Sequence, residues 1–190
     1  VIEALDGCNS KFHGAGREDI DALNLAGREF VLEIQEPVKR SPDLKKLEKE
    51  INRINKGKVS VEKLQMCEKK KIVELKDKRL DKRYMAVVEL DKPVSEDDVK
   101  KIIKLKGKTI KQQTPKRVVH RRADIVRDRK VLEISAKFIN PKKIEIEVKG
   151  EAGLYIKELV SSDDGRTIPS VSSVLGVGAK VATLDVIEIK

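Results

Sequence analysis

Between Val131 and Val148 the chain carries two stretches of alternating apolar and polar residues, Val131 to Ile139 and Ile144 to Val148, joined at Asn140-Pro141. Alternation with a period of two buries one face of a strand, and a hairpin-length connection makes the neighbours antiparallel. This hairpin restricts the fold more than any other segment, because its buried face needs further strands and a covering layer. Tyr84 to Leu90 is a strong strand candidate, Val181 to Ile189 closes the chain as a strand, and Phe30 to Ile34 and Val59 to Leu64 are shorter ones. Ser41-Pro42 caps a helix whose Leu44, Leu47, Ile51 and Ile54 share one face until Gly57 stops it. A second helix has Ser95 as cap with Asp98 three residues on, Val99, Ile102 and Ile103 as its buried side, and Gly107 as its end. Gly153 to Val160 and Val171 to Leu175 read as further short helical pieces. Strands with helices scattered among them predict an α+β fold with a mixed, mostly antiparallel central sheet, flanking helices and basic loops. The 190 residues show no internal repeat and are read as one domain.

The formal net charge of +10 is unevenly placed. From Lys100 to Lys130 thirteen basic residues stand against two acidic ones, and from Lys39 to Arg83 seventeen against eight, so the remainder is acidic overall. Such asymmetry points to a polyanion bound along one face, nucleic acid being the commonest, although a pair of solvated charged helices gives the same pattern. The only aromatic residues are Phe12, Phe30, Phe138, Tyr84 and Tyr155. That is too few for a platform stacking successive bases, so phosphates would supply most of the affinity. Thr109 to Asp124, broken by Pro115 and dense in cations, reads as a loop and strand presented to phosphates, with Lys116, Arg117, His120, Arg121 and Arg122 as contacts.

Cys8 and Cys67 lack the spacing of zinc or redox pairs, and His13 and His120 have no third ligand at a recognisable spacing, so no metal site is expected. No apolar run approaches the ~20 residues of a membrane helix. The first residues, with Glu3 and Asp6, do not look like a signal peptide. Two reduced thiols suit a reducing compartment, and the chain is read as cytoplasmic.

The densest chemistry lies near the start, in Gly14-Ala15-Gly16-Arg17-Glu18-Asp19-Ile20-Asp21. Two glycines allow a backbone path closed to other residues, and they deliver an arginine and three carboxylates to one place. Carboxylates beside an arginine suit an ionised nucleophile or base, and a glycine-rich turn with surface charges has the same composition. Asp19 and Asp21, two residues apart, point to different sides in most backbone conformations.

Taken together, these pieces resemble pseudouridine synthases. Gly16-Arg17-Glu18-Asp19 is similar to the Gly-Arg-x-Asp segment that holds the catalytic aspartate. Lys82-Arg83-Tyr84, leading into a strand, is similar to the motif whose tyrosine packs on the target uracil. Gly153-Leu154-Tyr155-Ile156-Lys157-Glu158-Leu159 resembles a third motif, Gly-Thr-Tyr-Ile-Arg-x-Leu. With Gln113 to Asp124, Lys157 to Val171 and Leu184-Asp185-Val186, the chain from about Gly14 onward resembles the archaeal and eukaryotic tRNA pseudouridine synthase family called Pus-ten.

The resemblance implies conversion of uridine to pseudouridine in the T-loop of tRNA, without cofactor or metal. It also implies roles: Asp19 as the catalytic aspartate, Tyr84 as the ring against the target base, Lys157 as the cation facing the aspartate, and Leu184 as the floor of the uracil pocket. Arg17 is expected to hold the displaced nucleotide or a phosphate. The family's N-terminal accessory RNA-binding domain, with its cysteine-ligated zinc, is absent from this sequence, which resembles the catalytic domain alone. Lys157 stands where the bacterial motif has arginine, and it offers a point charge instead of a planar fork. A basic RNA-binding or RNA-chaperone domain without chemistry is the alternative, and replacement of Asp19 separates the two.

Overall fold

A computed structural model describes the whole chain, Val1–Lys190. In chain order the elements are α1 (Ile2–Leu5), β1 (Asn9–Gly14), β2 (Leu23–Asn24), β3 (Phe30–Gln35), α2 (Leu44–Ile54), α3 (Lys70–Asp77), β4 (Lys82–Leu90) and α4 (Glu96–Lys100). They continue with a 3-10 helix (Lys101–Leu105), β5 (Thr109–Gln113), a second 3-10 helix (Lys116–Arg121), β6 (Val126–Asn140), β7 (Lys143–Gly150), α5 (Ile156–Ser161), β8 (Thr167–Ile168), α6 (Val171–Leu175) and β9 (Ala179–Ile189). They form two compact units, one of Val1–Arg17 with Arg28–Lys78 and the other of Glu18–Gly27 with Arg79–Lys190.

In the first unit β1 and β3 pair antiparallel, from Asn9 opposite Gln35 to Gly14 opposite Phe30. Phe12 and Phe30 stack with ring centroids 5.5 Å apart. The basic excursion after Lys69 contains α3, which packs on β1 and β3 and buries Ile72 and Leu75. Helix α2 begins later than Ser41-Pro42 predicts: Asp43 is its cap, accepting from the Lys46 amide at 3.0 Å. Val59 to Leu64, expected as a strand, is irregular chain without a strand partner, and Lys63 within it takes a left-handed φ of +57°. Its backbone groups are satisfied from α2 instead: the Asn52 amide donates to Val61 O and accepts from Val61 N, and Glu48 accepts from Leu64 N.

The second unit is built on a seven-stranded sheet in the order β2-β9-β4-β7-β6-β5-β8. Every pairing is antiparallel except the short β2–β9 contact, so the α+β, mostly antiparallel expectation holds. The predicted hairpin is β6–β7, in which Ile134 faces Val148 and Phe138 faces Ile144. Tyr84 and Ala86 of β4 stand opposite Val148 and Ile146 on one side and Val186 and Leu184 on the other. This apolar face is covered by Val99, Ile102, Leu105, Ile156, Leu159, Val160 and Val171. Between the strands of the other face Arg83 is held by Glu133 and Glu147, each at 2.7 Å, and by Glu188 at 3.4 Å.

Ser95 and Asp98 form the predicted capping box, with Ser95 Oγ accepting from the Asp98 amide at 3.2 Å and Asp98 accepting from the Ser95 amide at 3.0 Å. Replacing Ser95 by Ala is expected to cost about 1 kcal/mol of unfolding free energy, measured by urea denaturation. Ile103, expected inside, is exposed. After Lys100 the helix tightens to a 3-10 turn, whose three-residue period brings Ile102 and Leu105 inward and turns Ile103 out. No helix is long and apolar enough to cross a membrane.

Candidate active site

The candidate site lies in the second unit, and β2 creates it. Leu23 and Asn24 pair with Asp185 and Val186 of β9, and the amides of Leu25 and Ala26 both donate to Val186 O, at 2.9 and 3.1 Å. At the other end of the segment Glu18 pairs with Lys82 at the start of β4, both side chains nearly buried. The residues between are a tight turn closed by the Ala22 amide on Asp19 O at 3.1 Å. Asp19 therefore stands on backbone tied to the central strands, with its side chain 25% exposed.

The cations arrive from far along the chain. Arg117, on the second 3-10 helix, places Nη1 2.5 Å from Asp19 Oδ1. Lys157, on α5, reaches Asp19 Oδ2 only at 3.9 Å and makes its short contacts with both oxygens of Asp21, at 2.7 and 2.6 Å. The cation expected at Asp19 from the sequence is thus shared: Arg117 makes the hydrogen bond and Lys157 stands behind it. The cause is local geometry, since Asp21 offers Lys157 two oxygens from the same turn. Its hydrogen bond with Lys157 holds the Asp21 carboxyl below the usual carboxylate range.

Arg117 has a second partner. Its Nε and Nη2 donate to Oε1 and Oε2 of Glu158, at 2.7 and 3.2 Å, and the Glu158 side chain is 5% exposed. Burial works against the guanidinium charge, but Glu158 first and Asp19 second outweigh it and raise the Arg117 pKa above its ordinary value. Beneath it lies the ring of Tyr155, 5.9 Å from the Arg117 Cζ.

Tyr155 is fixed through its backbone. The buried Gln112 amide donates to Tyr155 O and accepts from Tyr155 N, both at 2.9 Å, while the Tyr155 hydroxyl accepts from Arg122 Nη1 at 2.7 Å. Replacing Gln112 by Ala is expected to lower stability by about 2–3 kcal/mol, two net hydrogen bonds in a buried place, as thermal or urea unfolding would show. Lys116 is likewise engaged, its amide on Asp163 at 3.0 Å and its ammonium on Asp164 at 2.5 Å. Of the five residues expected to meet phosphates, Lys116 and Arg117 thus have partners in the acidic 158–164 segment, and Arg122 has the Tyr155 hydroxyl. His120 and Arg121 are exposed, and their side chains make no hydrogen bond or ion pair with the protein.

Tyr84 is 9% exposed and Leu184 5% exposed, neighbours on the apolar face of the sheet. Arg17 belongs to the first unit and is exposed. In that unit Gly16 takes φ +83°, the left-handed conformation its lack of a Cβ permits. Glu158 and Gln112 were not singled out from the sequence. Glu158 gives one legible signal, an acid set among Leu154, Ile156, Leu159 and Val160, all buried.

The whole chain, residues 1–190, matches the family model described as Pus10, C-terminal. The chain belongs to this family. Curated relatives with the name tRNA pseudouridine synthase Pus10 include that of Methanothermobacter marburgensis, 53% identical over 100% of this chain and 47% of the relative. Those of Methanocaldococcus jannaschii (46% identical, 99% and 41%) and Pyrococcus furiosus (44% identical, 94% and 46%) agree. This Pus10 C-terminal chain spans about half the length of the curated relatives it matches. Among solved structures, a chain of a Cbf5-Nop10-Gar1 complex shares the fold, with a TM-score of 0.57 at 20% identity, over 99% of this chain and 42% of that one.

Proposed function

We propose that the chain is the catalytic portion of a tRNA pseudouridine synthase that isomerises a uridine in the T-loop, in the cytoplasm. The observation that carries this reading is Asp19, a carboxylate paired with Arg117 and Lys157 on a turn tied to the central sheet, in a chain of the Pus10 C-terminal family.

The isomerisation breaks the bond from N1 of uracil to C1′ of the ribose, turns the base, and forms a bond from C5 to C1′. C5 loses its proton and N1 gains one, so nothing is added or removed. The Asp19 carboxylate acts at the sugar, either as a nucleophile on C1′ or as a base on a ribose proton, and both routes draw on the same placement. The freed base must be kept, a task for the apolar surface of Tyr84 and Leu184 at the sheet. A stacked T-loop uridine must first be extracted, at a cost of roughly a few kcal/mol. Arg121 and the lysines of the basic 100–130 segment offer cations to the flanking phosphates, and His120 an exposed ring for a hydrogen bond. With about three to four phosphates engaged, tRNA affinity is expected to fall roughly 40- to 150-fold between about 50 and 200 mM salt, by filter binding; a flat response would contradict the phosphate contacts.

Incubation of a tRNA transcript with the protein, followed by pseudouridine mapping, tests the activity. One modified T-loop uridine is the expected outcome.

A further inference from the structure

We infer that Glu158 is a positioning residue, whose carboxylate clamps the Arg117 guanidinium so that the counter-ion of Asp19 is delivered by the basic 116–122 segment. The inference rests on the proposed function for its consequence and on geometry for its existence. The Arg117 guanidinium is used edge by edge: Nε and Nη2 fork onto Glu158, and the remaining Nη1 is left directed at Asp19. A planar fork held on one edge fixes the direction of the other, which a lysine cannot do.

Stability does not explain the clamp. A buried ion pair is often no better than well-packed apolar residues of similar volume, because two charges must leave water. Glu158 is nearly inaccessible and lies in α5 among Ile156, Leu159 and Val160, where another aliphatic side chain would suit the packing. Its neighbour Lys157 faces the other way along the turn, onto Asp21. Adjacent residues of α5 thus address the two ends of the Asp19–Asp21 turn: Lys157 directly, Glu158 through Arg117. The same guanidinium lies over Tyr155, whose hydroxyl takes Arg122, so the basic segment and α5 are locked at two points around Asp19.

The test compares wild-type protein with Glu158→Gln, Arg117→Met and the double variant, by single-turnover pseudouridine formation, tRNA affinity and melting temperature. Nitrogen-15 NMR of the Arg117 Nε–H reads the clamp without reference to activity. Glu158→Gln is expected to slow the chemical step about 10- to 100-fold, as a small misplacement of a catalytic group does, with tRNA affinity within about twofold. The double variant is expected to be no slower than Arg117→Met, because Glu158 acts through Arg117, and to melt higher than Arg117→Met, because no buried carboxylate is left unpaired. The Nε–H signal is expected to be exchange-protected in wild type and lost in Glu158→Gln. Effects of the two substitutions that multiply, or an unchanged rate in Glu158→Gln, would overturn the positioning role. Wild-type product with an unprotected Nε–H would overturn the clamp alone. A protected Nε–H without wild-type product would overturn the proposed function and reduce the clamp to a structural contact.

Discussion

Asp19→Asn is expected to abolish pseudouridine formation, by about four orders of magnitude or more, while tRNA binding and folding persist. The size follows from the proposed role: a group that attacks or deprotonates the sugar has no substitute in the site, and losses of this order accompany removal of such residues. Asn keeps the shape of the side chain and removes its charge. Arg117 retains Glu158 as a partner, and Lys157 retains Asp21, so neither cation is stranded. The fold should therefore hold, and filter binding with the substituted protein should match wild type within about twofold, since phosphates dominate affinity. Rate and binding measured on the same preparation separate chemistry from a structural loss. Residual turnover within about tenfold of wild type would move the catalytic role away from Asp19.

The second large effect is expected at Tyr84, whose place in the core and proposed place against the target base substitution can separate. Tyr84→Ala removes a ring that is 9% exposed among Val148, Val186 and their neighbours, and should cost about 3–5 kcal/mol of stability, the range for a large aromatic residue cut to Ala in a core. Tyr84→Leu keeps part of the apolar volume and should cost less than the alanine variant. If the ring also packs on the target uracil, the leucine variant should fold yet turn over roughly 5- to 100-fold more slowly, the worth of one base–aromatic stack. Equal stability and equal rate in the leucine variant would leave Tyr84 as a core residue only.

The sheet was legible because its strands are long and periodic. Val131 to Ile139 and Ile144 to Val148 alternate cleanly and appear as β6 and β7, which run from Val126 to Asn140 and from Lys143 to Gly150. Elements held by side chains were less legible. Val59 to Leu64 has strand composition, but Asn52 and Glu48 supply its hydrogen bonds, a relation no local pattern shows. At the site, Asp19 stood out through its short motif and Tyr84 and Leu184 through the resemblance. The partner of Asp19 did not, because Arg117 looks like one cation among many in a basic run, and what distinguishes it is a buried acid 41 positions later. The same blindness explains Lys116 and Arg122, which the composition offers to phosphates and the acidic 158–164 segment and Tyr155 engage instead.

The most direct measurement is pseudouridine mapping of a tRNA transcript incubated with this chain, alone and joined to the N-terminal half of the Methanothermobacter marburgensis relative. One new pseudouridine, in the T-loop, is expected from wild type and none from Asp19→Asn. Binding of tRNA with no pseudouridine at any position, in the joined protein as well as the chain alone, would contradict this expectation and leave a basic RNA-binding domain without chemistry.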